Sequence, residues 1–383
     1  MSSSNPVTKN VLLVTASVGA GHNQVARTIQ DRLEAACSAV RVERLDMMEL
    51  CPRWFRLYYA GGFEVAMSRT PWLFGLGFTL SNTPHRPGRA LREWPRLAFE
   101  RLSNQRFVRH VLDRRYDLIL HTHFLAPGML EPLVHAGRLA APQAAIVTDV
   151  EAHRWWYCPT VRRYYVPADY TAGLVRRWGI DDSRVVVSGM PIHPKWTAPI
   201  DRGRVFSDWN LPPDKPLVTL AGGTSFTVGP IVKIARQLLA ARDDLTLAVL
   251  AGRNKKLLGD LCQLPQAGER LFPVPFTDRA NELVSVSDLM ITKPGGITTA
   301  ECLAVGTPMV FLKPVPGHER GNGRFFQREG AGVITHSVTN LVETVTSLLT
   351  DAAQRTAMKE NARRLYRPGA ETVIEDVVAQ FGL

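Results

Sequence analysis

The sequence predicts an α/β protein built as two doubly wound, Rossmann-like domains facing across a cleft, and three observations predict it. Short β-branched apolar runs alternate with segments of helical spacing, those runs end where polar residues or glycines cluster, and 383 residues exceed what one ordinary core uses. Asn10 to Ser17 (NVLLVTAS) opens the series, ends at Gly19-Ala20-Gly21-His22, and is followed by QVARTIQDRLEAA at helical spacing: strand, glycine loop, helix. Further strands are expected at YDLILHTH (116–123), AAIVTD (144–149), RYYVP (163–167) and RVVVSGMP (184–191). In a parallel sheet their carboxyl ends share one rim, where ligands bind.

Proline and polar residues from Pro191 to about Pro213 break the pattern and mark a linker. A second series follows at PLVTLAGGT (216–224), LTLAVLAG (245–252), LFPVPF (271–276), DLMITKPGG (288–296) and PMVFLKPV (308–315). The expected division is a first domain over 1–198, a second over 199–365, and a final helix over 366–383. No short-period repeat and no low-complexity tract interrupts it.

The charge is uneven. Of a net +11, the window from Arg53 to Arg115 alone supplies +8, with twelve arginines against Glu64, Glu93, Glu100 and Asp113. A local basic patch argues against a chain that coats nucleic acid, and no nucleic-acid motif accompanies it. Five scattered cysteines without a C-x-x-C pair suit free thiols in a reducing compartment, and imply no zinc site. The start MSSSNPVTKN lacks the regions of a signal peptide, and no apolar run reaches the length of a membrane span.

That basic window also breaks the strand–helix rhythm. Trp54, Phe55, Leu57, Tyr58 and Tyr59, then Trp72, Leu73, Phe74, Leu76 and Phe78, interleave with Arg53, Arg56, Arg69, Arg86, Arg89 and Arg92. Rings that sit at headgroup level beside guanidinium groups that meet lipid phosphates suit an anionic membrane surface, with Trp72, Phe74, Arg86, Arg89 and Arg92 as its contacts. An ordinary helical insertion with buried rings and solvated arginines is the other reading.

Two segments carry anion chemistry. Gly295-Gly296, between DLMIT and the helix ITTAECLAVG, brings backbone N–H groups and a helix N-terminus to a place without Cβ atoms, the physics of a diphosphate site. Glu301, farther along that helix, suits two ribose hydroxyls or, alternatively, the helix dipole. After the next strand, PVPGHERGN (314–322) reads as a long, proline-fixed loop in which His318, Glu319 and Asn322 supply donors and acceptors for sugar hydroxyls.

The run ITKPGGITTAECLAVGTPMVFLKPVPGHERGN resembles the nucleotide-sugar signature of the monogalactosyldiacylglycerol synthase and processive diacylglycerol glucosyltransferase family, with the peptidoglycan N-acetylglucosaminyltransferase as a more distant relative. GAGH resembles that family's glycine-rich GGGH loop, TDVEAHRWW its Thr-Asp…His…Trp segment, and AGGTSF…GP its Gly-Gly-Gly…Gly-Pro loop; the four matches lie in order over residues 11 to about 323. The resemblance implies a GT-B fold whose last helix returns to the first domain, and metal-independent, inverting transfer from UDP-glucose or UDP-galactose to a lipid acceptor such as diacylglycerol. It places Gly223 and Phe276 at the diphosphate loop and the uracil, Gly295, Gly296 and Thr298 by the phosphates, Glu301 at the ribose, and His318, Glu319 and Asn322 at the sugar. His22 falls at the family's candidate catalytic histidine.

Chemistry alone also favours His22, since an imidazole can take the acceptor's hydroxyl proton near pH 7; a loop histidine capping the helix is the alternative. Asp149 and His153 are read as sharing the base role or orienting the acceptor, with an N-cap as the other reading of Asp149. The chain departs from the family in GAGHNQVA, which lacks a third glycine and the following Arg-Ala-Ser-Ala, and in having His318 where glutamine is common. Neither an Asp-x-Asp pair nor H-E-x-x-H occurs, so no metal and no cofactor are expected; backbone amides with Lys293 or Arg253 would stabilise the leaving UDP. The expected location is cytoplasmic, peripheral on the inner face of the cell membrane, with no nucleic-acid partner. A UDP-sugar epimerase on the same fold, a different lipid-linked acceptor, and a binding module without turnover are the alternatives.

Overall fold

The computed structural model describes residues 8–17, 20–62, 70–82, 89–221 and 230–383. They divide into two compact units: Met1–His193 with Pro316–His318 and Arg367–Leu383, and Pro194–Val315 with Glu319–Tyr366.

The first unit is a six-stranded sheet in the order β2-β1-β3-β4-β5-β6, every neighbouring pair parallel. Its strands are β1 (Lys9–Thr15), β2 (Val40–Asp46), β3 (Leu118–His121), β4 (Gln143–Ile146), β5 (Val161–Val166) and β6 (Val185–Val187). β3 and β4 are buried along their whole length, as strands covered by helices on both faces must be. One core forms around Leu12, Val14, Phe55, Phe107, Ile119 and Met129, and a second around Ala145, Trp156, Tyr164 and Val175. The final helix (Gly369–Phe381) belongs to this unit, where Glu371 meets Arg32 of the first helix at 3.0 Å. Its first residue must be glycine, because a Cβ on Gly369 would fall 2.4 Å from the Met190 carbonyl carbon.

The second unit repeats the design in the order β12-β11-β10-β7-β8-β9, again parallel throughout. Its strands are β7 (Leu217–Ala221), β8 (Thr246–Gly252), β9 (Leu271–Pro275), β10 (Leu289–Thr292), β11 (Met309–Leu312) and β12 (Gly332–Thr335). Strand order reverses beside β1 and β3 in the first sheet and beside β7 and β10 in the second. A crevice opens outside the carboxyl ends at such switch points, because successive connections leave on opposite faces.

Between β2 and β3 the chain is helical, at Arg53–Arg56, a π-turn over Leu57–Gly61, Pro71–Ser81, Arg89–Ser103 and Gln105–Leu112. Phe55 and Phe107 are core, whereas Trp54, Leu57, Tyr58, Trp72, Leu76, Trp94 and Leu102 are each at least half exposed. Some rings of this region are thus buried, and a larger set is exposed.

Candidate active site

At the switch point of the first sheet stands an imidazole with a defined tautomer. His22 lies in the first turn of the helix Ala20–Ala36, which follows β1. Its Nδ1 is 2.7 Å from the carbonyl oxygen of Thr122, just past β3, and 3.0 Å from the hydroxyl of Thr148, just past β4. A carbonyl only accepts, so Nδ1 carries the proton and the lone pair of the neutral ring sits on Nε2. These positions meet because the register pairs Val14 with His121 and His121 with Ala145, bringing the ends of β1, β3 and β4 level.

His123 packs edge-on against His22, ring centroids 4.7 Å apart, and is buried. Its Nδ1 accepts the Leu125 N–H at 3.1 Å, which fixes it as a neutral ring protonated on Nε2. Burial pushes the His22 imidazole below its ordinary value, with the Asp149 carboxylate and the Thr122 carbonyl pulling it partly back. Burial, then the neighbouring His22, holds His123 well below the usual range. Asp149, partly exposed just beyond β4, therefore sits where it favours a proton on His22.

His153 is buried and has both ring nitrogens engaged. Nδ1 accepts the Trp155 N–H at 3.2 Å, so Nε2 donates, with the Phe78 carbonyl at 3.2 Å and the Ser81 hydroxyl at 3.1 Å. It ties the helix Pro71–Ser81 to the turn Arg154–Trp156.

His121, one residue before this rim, is buried against Gln143 Oε1 at 2.9 Å, and burial pulls it down to about 4. The folded state thus binds its proton more weakly than the unfolded chain does. Stability from this group is complete above about pH 6.5 and falls with pH to about 4, by about 3 kcal/mol at 1.36 kcal/mol per pH unit. Urea unfolding at pH 7 and pH 4.5 is expected to show that loss in the wild type and a flatter dependence in His121→Gln.

In the second unit, β10 leads through Lys293-Pro294-Gly295 into the helix Gly296–Val305, at the second switch point. Gly295 has an ordinary φ of −78°, and a Cβ there would meet nothing within 4 Å. The protein's own packing does not call for glycine at this position, and the missing Cβ leaves the backbone open to close approach. Among the described residues no side chain caps the helix, and Thr299 Oγ1 turns back to the carbonyls of Gly295 and Gly296 at 2.9 and 3.0 Å. The first-turn N–H groups are left for an anion. Thr298 is partly exposed beside them, and Glu301, one turn on, is buried.

The segment read as a long sugar-binding loop is helical from its middle onward, because the helix His318–Arg328 starts at the first of the three residues assigned to it. Glu319, Asn322, Gly323 and Phe326 fall at i, i+3, i+4 and i+7, and all are buried. The periodicity was masked by the glycines in HERGNGRFF. Glu319 Oε1 lies 3.0 Å from Lys293 Nζ, and its Oε2 accepts the Val315 N–H at 3.3 Å. Asn322 donates to the Pro294 carbonyl at 2.9 Å. Glu319 and Asn322 therefore brace Lys293-Pro294-Gly295, a role that sequence reading missed along with Thr122, His123 and Thr148. His318 is partly exposed and groups with the first unit.

Phe276 is 62% exposed, with the Arg253 guanidinium 4.4 Å from its ring centre. Gly223 and Arg86 lie outside the described residues. Phe74, Arg89 and Arg92 lie on the helices Pro71–Ser81 and Arg89–Ser103, where the backbone alone is described. Trp72 is exposed on the first of these helices.

Comparison with known proteins finds similarity over both units. The pattern of the family described as monogalactosyldiacylglycerol (MGDG) synthase matches residues 22–192, and that of the glycosyltransferase family 28 C-terminal domain matches residues 218–377. The chain is 28% identical over 381 residues to the processive diacylglycerol beta-glucosyltransferase of Bacillus subtilis, covering 97% of this chain and 95% of the relative. Among solved structures it is similar to Acinetobacter baumannii MurG (TM-score 0.59, 16% identity, 96% and 98% of the two chains). It is also similar to the UDP-GlcNAc 2-epimerase of Neisseria meningitidis (TM-score 0.62, 14% identity, 97% and 100%). At those identities the likeness shows a shared two-domain α/β fold of the GT-B kind, which does not by itself choose between transfer and epimerisation.

Proposed function

From the likenesses over both halves of the chain, we propose that it belongs to the monogalactosyldiacylglycerol synthase and processive diacylglycerol glucosyltransferase family and moves glucose from UDP-glucose to diacylglycerol at a membrane surface. The choice of glucose rests on the relative that spans the donor half as well as the acceptor half. The pattern named for galactolipid synthesis reaches only residue 192.

The observation that carries the chemistry is the Nδ1 contact of His22 with Thr122, which leaves Nε2 as the basic atom. The acceptor hydroxyl gives its proton to that nitrogen as its oxygen bonds to the anomeric carbon, and the bond from that carbon to the diphosphate oxygen breaks. UDP leaves with the electron pair, and Asp149 stabilises the imidazolium that forms. A single displacement inverts the α-linked donor to a β-glycoside, in keeping with the relative's name. The open helix N-terminus at Gly295-Gly296 would take the diphosphate charge, with Thr298 beside it, and Lys293, held by Glu319, adds a cation nearby.

Purified protein given UDP-glucose or UDP-galactose and diacylglycerol vesicles tests this reading, with the lipid product identified by mass and by its anomeric coupling. β-Glucosyl diacylglycerol is expected. A galactolipid as main product overturns the donor assignment, and an isomerised UDP-sugar without lipid product overturns transfer.

Glu301 supports the ribose assignment, since it sits beyond the first turn of its helix, where dipole stabilisation has faded. Glu301→Ala is expected to weaken UDP binding by about 1.5–3 kcal/mol, the range for charged hydrogen bonds. Calorimetric affinity equal to wild type would remove it from the donor site.

For location we propose peripheral attachment to the inner face of the cell membrane. No helix among the described residues is long and apolar enough to cross a bilayer. The exposed rings of the helices between β2 and β3, set among arginines, support a surface that binds anionic lipid.

A further inference from the structure

The first unit has a cavity at the edge of its sheet opposite His22. It opens at the amino-terminal ends of β5 and β6, is about 540 Å³ in volume, and is lined by Thr160, Arg162, Arg163, Ser183, Arg184 and Phe381 among others. No acidic side chain among the described residues lines it.

The three guanidinium groups differ in how far they are neutralised. Arg163 is matched by Asp376, at 2.6 and 2.8 Å. Arg184 spends Nη2 on the carbonyls of Pro159 and Val161, and its Nε is buried without a hydrogen-bond partner. Arg162 is exposed, and no residue among those described engages it. The nearby carboxylates are committed elsewhere: Asp181 to Ser183, Asp182 to Arg176 at 2.6 Å, and Asp376 also to the Tyr165 hydroxyl at 2.8 Å. Among the described residues two guanidinium groups without a carboxylate in ion-pair contact thus share one concavity, Asp181 acting on Arg184 only at longer range. Their mutual repulsion would be relieved by a small dianion, and guanidinium forks match phosphate oxygens in geometry.

We infer that this cavity is a second anion site, taking a phosphate-class ion such as pyrophosphate from solution and separate from the nucleotide-sugar site. The source follows from position. The six residues of β5 separate the cavity from the sheet's carboxyl rim by roughly 20 Å at 3.3 Å per residue. The helix carrying Trp54, which follows the carboxyl end of β2, belongs to the other edge of the sheet. A bilayer met by those rings would not present a headgroup to the cavity.

The test is calorimetric titration of the full chain with pyrophosphate at constant ionic strength and saturating UDP, which fills the donor site. It has no activity readout, so its outcome is independent of the transferase reading. One site is expected, weakened at least tenfold in Arg162→Glu and also in Arg184→Lys, with thermal unfolding of Arg162→Glu unchanged. Arg53→Glu, an exposed reversal elsewhere, is expected to leave the affinity as it is. The proposal is overturned by an absence of pyrophosphate binding, by equal binding in Arg162→Glu, or by an equal loss in Arg53→Glu. A lipid arm uses phosphatidic acid and neutral phosphatidylcholine vesicles. Vesicle binding that depends on Arg162 while pyrophosphate does not bind would assign the cavity to a lipid headgroup and overturn the soluble source.

Discussion

Replacing His22 with alanine is expected to slow glucosyl transfer to lipid by about 10²- to 10⁴-fold, the span that a positioned general base supplies. UDP affinity should be unchanged, because the proposed diphosphate, ribose and base contacts belong to the second unit. The size of the effect follows from how completely the structure prepares this ring. Thr122 and Thr148 hold Nδ1, and His123 walls one side with a ring that Leu125 keeps neutral. The proton accepted at Nε2 finds Asp149 near, while burial opposes the charged state. Burial is the larger influence, so the acid limb of kcat/KM is expected below pH 6.5, with activity rising as pH increases through it. Turnover and UDP titration of the same variant check both halves. Wild-type turnover removes the ring from the mechanism, and a parallel loss of UDP affinity places it in the donor site instead.

The parts of the fold that sequence reading found and missed have a common physical basis. Strands in the middle of each sheet, such as β3 with LILH and β10 with LMIT, are buried on both faces and stand out as apolar runs. The two strands that went unread, β2 (VRVERLD) and β12 (GVIT), are sheet edges, whereas the other two edges, β6 (VVV) and β9 (LFPVP), were found from their uncharged apolar runs. An edge strand keeps one side toward solvent and carries charge or is short, so its pattern resembles a loop or a helix face. The site shows a similar division. His22 and Gly295-Gly296 stand at strand–helix junctions, which glycine marks in the sequence. Thr122, His123 and Thr148 follow their strands with no such signal, and only the register that levels β1, β3 and β4 brings them to His22. Glu319 was assigned to the sugar on residue type, whereas its burial with Lys293 is a long-range pairing that local pattern does not carry.

The attachment surface should separate into two components. Arginines near an anionic bilayer contribute about 1 kcal/mol each, so replacing Arg86, Arg89 and Arg92 with alanine removes about 3 kcal/mol, or roughly 150-fold in partitioning. High salt should imitate that loss, because the Debye length shrinks from about 10 Å at 0.1 M to about 3 Å at 1 M. Burying rings in the interface is not screened. Trp72, 68% exposed, and the cluster in which Trp54 and Tyr58 each lie about 6 Å from Phe99 between ring centroids should therefore retain part of the binding at high salt. Trp54 and Trp72 replaced together by alanine should remove that salt-resistant part while leaving the salt-sensitive part. Phe55 and Phe107 offer the contrast, since both are fully buried and their replacement should lower thermal stability rather than shift partitioning at temperatures where the fold survives. Co-sedimentation with anionic and neutral vesicles across a salt series, beside glucosylation measured on the same vesicles, resolves the components. Binding that is equal on neutral vesicles and indifferent to salt would remove the arginines from membrane attachment, and binding abolished by salt would remove the rings.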